Sequence, residues 1–288
     1  MLTDWQELPR VPALPGLFAR AAVRRGVRGR TLPARGVSCA VTVDPDHLAR
    51  FRALCGARDD GRLPPTYPHL LAFALQMKLL TERDFPFPLL GLVHLENRIR
   101  VLRPLGGLGP FRISVATGQL APHDKGVTFS LITRLDDQLG TLWEGDSRFL
   151  FRGLRLDGAP PARTEAEALP LDEIDRWTAP TRLALLFLLG RNGFLGYINP
   201  IHIAAPTARL FGFPRAIAHG LWNKGRALAA LSDRLPDSGY EVDVRFQKPV
   251  LLPGEVRLLA SAPAPQGQFS LRSARDDLPH MSGAWRTL

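Results

Sequence analysis

The stretch Gly196-Tyr197-Ile198-Asn199-Pro200-Ile201-His202, followed by Pro206-Thr207-Ala208-Arg209-Leu210-Phe211-Gly212-Phe213-Pro214 and by Ile217-Ala218-His219-Gly220, decides how the rest of the chain reads. In Asn199-Pro200 the proline biases the residue before it away from helical angles, so His202 is expected to leave a tight turn in a defined direction. Pro206 suits the first turn of a short helix and Gly212 its end. A second helix is expected to open at Gly220 and to reach about Leu231. Its first N–H groups have no intrahelical partners, and a glycine there lets an oxygen atom approach them closely. A turn-held histidine ahead of such a helix start combines a base with donors for a carbonyl or oxyanion, a thioester carbonyl being one suitable guest.

A chain of 288 residues with 45% hydrophobic and 22% charged content is enough for one large or two ordinary globular domains. The longest apolar run, Leu183 to Leu189, is far short of the roughly 20 residues of a membrane helix. Arg20, Arg24, Arg25, Arg28 and Arg30 interrupt the only candidate for a signal-peptide core, so a cytoplasmic location is expected. Cys39 and Cys55 are too few for a disulfide framework and have no CxxC or histidine partner at zinc spacing, so two reduced thiols and no metal are expected.

The net charge of +10 is carried almost wholly by arginine, with Lys78, Lys125, Lys224 and Lys248 the only lysines. Guanidinium forks suit phosphates, including those of a cofactor-like carrier. The basic residues are spread along the chain without interleaved aromatics, which argues against a nucleic-acid surface.

In chain order, 1–35 is a proline- and arginine-rich lead-in with a short helical segment around Leu17 to Val23. Val37 to Val43 reads as a strand. Asp44-Pro45-Asp46 reads as a helix start, with Leu48, Phe51 and Leu54 at helical spacing up to Gly56. Tyr67 to Leu80, apolar on nearly all sides, is a buried helix containing Phe73 and Met77. Leu92 to Leu102, Phe111 to Gly118, Val127 to Leu135 and Thr141 to Phe151 are strands bounded by Gly, Pro or Asp.

After a linker at 157–169 the same order recurs. Asp172 to Leu189 is a lead-in and apolar segment containing Phe187, the quoted stretch supplies the buried helix, and Tyr240 to Phe246, Gly254 to Ala260, Gln268 to Ser273 and Met281 to Thr287 are strands. Arg103-Pro104-Leu105 and Lys248-Pro249-Val250 close equivalent strands in the two halves. The expected architecture is therefore α+β, two domains at 36–156 and 170–288, each an antiparallel sheet wrapped around a central helix.

Asn199-Pro200-Ile201-His202, Ala208, Phe211-Gly212-Phe213 and Ile217-Ala218-His219-Gly220, in this order and spacing, resemble the MaoC-like (R)-specific enoyl-thioester hydratases and dehydratases of the hot-dog fold. Pro64-Pro65-Thr66-Tyr67-Pro68-His69 and Phe85-Pro86-Phe87-Pro88-Leu89-Leu90-Gly91-Leu92-Val93-His94 extend the resemblance to that family's double hot-dog members. It implies a degenerate first half that shapes the acyl pocket and a second half that carries the motif. The implied activity is reversible hydration of trans-2-enoyl thioesters to (3R)-3-hydroxyacyl thioesters on coenzyme A or acyl carrier protein, without a cofactor. The implied assembly is a monomeric pseudo-dimer or a homodimer.

By the same resemblance His202 is base and acid, Asn199 orients the water or the turn, and the Gly220 N–H is the oxyanion donor. Phe213, Ile217, Ala218 and His219 line the substrate, with His219 also serving the helix start. The family pattern Ser-Gly-Asp-x-Asn-Pro-Ile-His is here Leu195-Gly196-Tyr197-Ile198-Asn199-Pro200-Ile201-His202, so Tyr197 stands at the place of the catalytic aspartate. No Asp or Glu occurs between Asp175 and Asp233 to replace it. A phenol, with a pKa of about 10, is a poor base near neutrality, so a catalytically inactive acyl-thioester binder or scaffold is the alternative, and a hot-dog thioesterase a third. The absence of GxGxxG, GxxxxGK[ST] and GxSxG disfavours dinucleotide, P-loop and serine-hydrolase chemistry. His69 and His94 are expected to be structural, and Trp222 to belong to the core.

Overall fold

The computed structural model describes residues 4–162, 167–181, 200–209 and 212–288. The chain forms two compact units: Met1–Val43 with Pro68–Arg103 and Leu108–Ala166, and Asp44–Tyr67 with Pro104–Gly107 and Glu167–Leu288. The expected helix at Asp44 to Gly56 therefore folds with the second unit.

In the first unit, β1 (Asp4–Leu8), β2 (Arg35–Val41), β3 (Val93–Val101), β4 (Phe111–His123), β5 (Gly126–Asp137) and β6 (Gly140–Phe151) form a sheet in the order β1-β2-β4-β5-β6-β3. All neighbours are antiparallel except β1 and β2. Helix α1 (Leu14–Val23) precedes β2, and helix α3 (Tyr67–Leu80) precedes β3. Helix α3 is apolar on nearly every side because nearly every side is covered: Ala72, Leu75, Met77 and Leu79 are at most 2% exposed. Its one buried amide, Gln76, donates to Thr133 Oγ1 at 3.1 Å and lies 3.4 Å from His69 Nδ1. His94 stacks on Phe149 with ring centroids 4.5 Å apart.

The second unit repeats this plan. Its strands β7 (Asp172–Ala179), β8 (Tyr240–Phe246), β9 (Gly254–Ala260), β10 (Gln266–Ser273) and β11 (Pro279–Thr287) are antiparallel in the order β8-β11-β10-β9-β7. Strand for strand this matches β3-β6-β5-β4-β2, so the duplication legible in the sequence is also a duplication of topology. The protein is α+β with antiparallel sheets, as expected.

Two strands were not expected from the sequence. Asp4–Leu8 is mostly exposed and Asp172–Ala179 half exposed, and both are polar edge strands without a clear apolar alternation to reveal them. Pro15 in the first turn also starts α1 three residues earlier than the apolar spacing indicated.

Helix α2 (Pro45–Cys55) has both ends defined locally. Asp44 Oδ1 accepts from the N–H groups of Asp46 and His47, and Gly56 closes the helix in the left-handed region at φ 63°. It packs in the second unit against the long helix of that half (Gly220–Ala230, α6 below). The indole of Trp222 donates to Leu54 O at 3.0 Å, and a Cβ at Gly225 would lie 3.1 Å from both Cys55 Sγ and Thr66 Oγ1. Gly225 is what allows the two helices this close. Both cysteines are buried and form no disulfide; burial pushes the Cys55 thiol up to about 12. No described helix is long and apolar enough to cross a membrane.

Candidate active site

Pro200–Ile203 forms a single helical turn, α4, and Ala205–Arg209 a second short helix, α5. His202 thus sits inside a helical turn rather than beyond a tight one, with proline at the first position, where a missing N–H costs nothing. Helix α5 ends as expected: Gly212, at φ 84°, donates to Arg209 O at 3.0 Å, and Phe213 N–H donates to Ala208 O at 3.2 Å.

The chain then runs Ala216-Ile217-Ala218 alongside Val250-Leu251-Leu252. Ala218 N–H donates to Val250 O and Leu252 N–H to Ala216 O, each at 2.8 Å. This fixed segment delivers the start of α6 (Gly220–Ala230) and also anchors His202. Ile217 N–H donates to Ile201 O at 3.1 Å, and the Ile217 carbonyl accepts from His202 Nδ1 at 2.8 Å. A carbonyl only accepts, so Nδ1 carries the proton and the neutral ring keeps its lone pair on Nε2. Burial pulls the His202 pKa below its ordinary value, partly offset by the bond to Ile217, so the ring is neutral at pH 7.

His219 caps α6. Its backbone is extended (φ −71°, ψ 133°) and its Nδ1 accepts the Leu221 N–H at 3.1 Å. An N–H only donates, so in the neutral ring the proton is on Nε2, the tautomer opposite to that of His202. The two rings face each other with centroids 4.9 Å apart and planes at 47°.

Gly220 occupies the first helical position, where the N–H has no partner in the helix ladder. Its lack of a side chain has a packing cause too: an added Cβ would meet Phe246 Cε1 at 2.9 Å. On the same helix Lys224 is fully buried, and burial pulls its pKa down to about 7 against the opposing effect of Asp243.

The structure thus brings together His202, Ile217, Ala218, His219 and Gly220. Phe213 is half-buried and contributes a backbone bond to α5; no ring contact joins it to either histidine. Tyr197 and Asn199, like Phe187 in the preceding apolar segment, lie outside the described residues. One residue of this neighbourhood was not singled out from the sequence. Asn223, on α6, is 6% exposed, and its Oδ1 is buried with no hydrogen-bond partner among the described residues. The available signal was an amide four residues after His219 in an otherwise apolar helix face.

This arrangement and the duplicated topology agree with the comparisons. Residues 195–269 match a family model described as a MaoC like domain. The 3-hydroxyacyl-thioester dehydratase X of Mycobacterium tuberculosis is 32% identical over 281 residues, covering 96% of this chain and 98% of the relative. The chain belongs to the MaoC-like dehydratase family. The crystal structure of HtdX from the same organism superposes with a TM-score of 0.75 at 30% identity, covering 88% of this chain and 100% of that one. A MaoC-like dehydratase from Phytophthora capsici shares the fold, with a TM-score of 0.71 at 19% identity over 88% of this chain and 95% of that one.

Proposed function

We propose that the chain is a hydro-lyase that interconverts (3R)-3-hydroxyacyl and trans-2-enoyl thioesters carried on coenzyme A or acyl carrier protein. The observation that carries this reading is the fixed tautomer of His202: its protonated Nδ1 is tied to Ile217 O, leaving a basic Nε2 beside the start of α6. In the dehydration direction Nε2 removes a proton from C2. Negative charge moves onto the thioester oxygen, which the Gly220 N–H stabilises. The C3–O bond breaks, and the departing hydroxide takes the proton back from Nε2, leaving water and a neutral ring. One histidine is then base and acid in turn, as a site with no Asp or Glu between Asp175 and Asp233 requires of this stretch.

The reading places the two repeats at 36–156 and 170–288, with the reacting groups in the second. It further places the protein in the cytoplasm, acting without a cofactor as a monomeric pseudo-dimer or a homodimer. The identity to a 3-hydroxyacyl-thioester dehydratase over nearly the whole chain supports the hydro-lyase activity. The test is to mix purified protein with crotonyl-CoA and longer enoyl-CoAs. Loss of the enoyl absorbance without release of free thiol is expected; thiol release would make the protein a thioesterase instead.

A further inference from the structure

A buried polar atom without a partner costs about 1–3 kcal/mol, and native proteins retain few of them. Among the described residues Asn223 Oδ1 is such an atom. Its helix faces identify where it points. Trp222 and Gly225 face α2, Arg226 lies over the Trp177 ring at 4.6 Å, and Gly220 faces Phe246. Asn223 lies between the Gly220 and Arg226 directions, about 60° from each, and away from the Trp222 and Gly225 face turned to α2. It stands four residues after His219, about 40° round the helix, and its N–H donates to His219 O at 3.1 Å. Helical side chains tilt toward the N-terminus, so the amide leans toward the turn where His219 faces His202 at 4.9 Å.

We propose that Asn223 is a catalytic residue whose Oδ1 accepts a hydrogen bond from the substrate's 3-hydroxyl, or from the water that adds in the reverse direction. This inference rests on the hydro-lyase reading and deepens it. A thioester offers few donors near the reacting carbons, and the 3-hydroxyl is the one created and destroyed in the reaction. With its hydrogen held by Asn223, the hydroxyl oxygen keeps a lone pair directed at His202 Nε2. When C3–O breaks, the proton that Nε2 took from C2 joins this oxygen, and water leaves still bonded to Oδ1. Asn223 neither gains nor loses a proton. An amide acceptor on α6 thereby supplies the orientation that a carboxylate at position 197 would give.

Asn223→Leu and Asn223→Asp test this, with hydration of crotonyl-CoA and inhibition by butyryl-CoA, which lacks the 3-oxygen, as readouts. The leucine is nearly isosteric and removes the orphan acceptor, so Tm is expected to hold or rise while kcat falls roughly 10- to 100-fold. Butyryl-CoA inhibition is expected to stay unchanged, and Asn223→Asp, which keeps an acceptor, to retain more turnover than the leucine variant. Wild-type turnover in Asn223→Leu overturns the inference, as does a loss of turnover accompanied by lower Tm and weaker butyryl-CoA inhibition, the pattern of a packing role. A wild-type protein that turns over no enoyl-CoA overturns the hydro-lyase reading itself, before any variant is compared.

Discussion

The side chain of His202 donates to the carbonyl of Ile217, 15 residues away in sequence, at 2.8 Å, and the Ile217 N–H donates back to the carbonyl of the adjacent Ile201 at 3.1 Å. Ile217 is in turn bridged to Leu251. A basic nitrogen on a short helical turn is thus held by an extended segment that continues directly into the N-terminus of α6.

The pH dependence follows from the burial of His202. As the proposed base, His202 must be neutral to act, and its pKa lies below the ordinary histidine value. The acid limb of kcat/KM for enoyl-CoA hydration is therefore expected below about pH 6.5, with a plateau through neutrality. A limb centred above that value in a rate profile would contradict the burial argument.

Gly220→Ala is expected to lower both Tm and activity, because the new methyl group would stand 2.9 Å from the Phe246 ring. The backbone N–H is unchanged by the substitution, so shrinking the ring should release the strain. Gly220→Ala with Phe246→Leu is expected to recover a large part of the lost turnover. No recovery, measured by crotonyl-CoA hydration, would mean that the glycine serves the approach of substrate rather than packing.

His219→Ala removes the cap on α6 and is expected to cost about 1 kcal/mol, a Tm shift of a few degrees. His219→Asn keeps an acceptor for the Leu221 N–H and is expected to restore Tm. Thermal melts of the two variants decide the point; equal losses would remove the cap from the account.

Stability in mild acid depends on His47. Its Nδ1 lies 2.5 Å from Tyr67 Oη, and burial holds its pKa down to about 4 from 6.5. Between those values the unfolded chain binds the proton and the folded one does not, so stability rises with pH across this window. The contribution is complete above pH 6.5 and is lost as pH falls toward 4. Burial lowers His202 and His280 in the same direction, so Tm is expected to drop steadily from pH 7 to pH 4.5 in calorimetry. A flat profile would contradict it.

The parts legible in the sequence were those set by local chemistry. The Asp44-Pro45-Asp46 start and Gly56 stop bounded α2, the all-apolar run bounded α3, and the apolar alternation of β8 and β9 gave both strands at their observed ends. Edge strands β1 and β7 were not legible, because β1 is almost wholly exposed, β7 is half exposed, and the charged and polar residues of both leave no clear apolar alternation. Nor was the attachment of α2 to the second unit, which depends on the Trp222 to Leu54 bond and on the space left by Gly225, both contacts over long sequence separations. The motif marked His202 and Gly220 as candidates, and the first lies with its ring 4.9 Å from that of His219, the residue before the second. The opposite tautomers of His202 and His219 needed the acceptor and donor facing each ring, and the orphan oxygen of Asn223 needed a count of its neighbours.

The most direct test of the account compares wild type and His202→Ala in the hydration of crotonyl-CoA, followed at the enoyl absorbance with chiral analysis of the product. The account predicts (3R)-3-hydroxybutyryl-CoA from wild type and a fall of at least about 10³-fold in kcat/KM for the variant, with Tm little changed. Wild-type turnover that survives the substitution would contradict it.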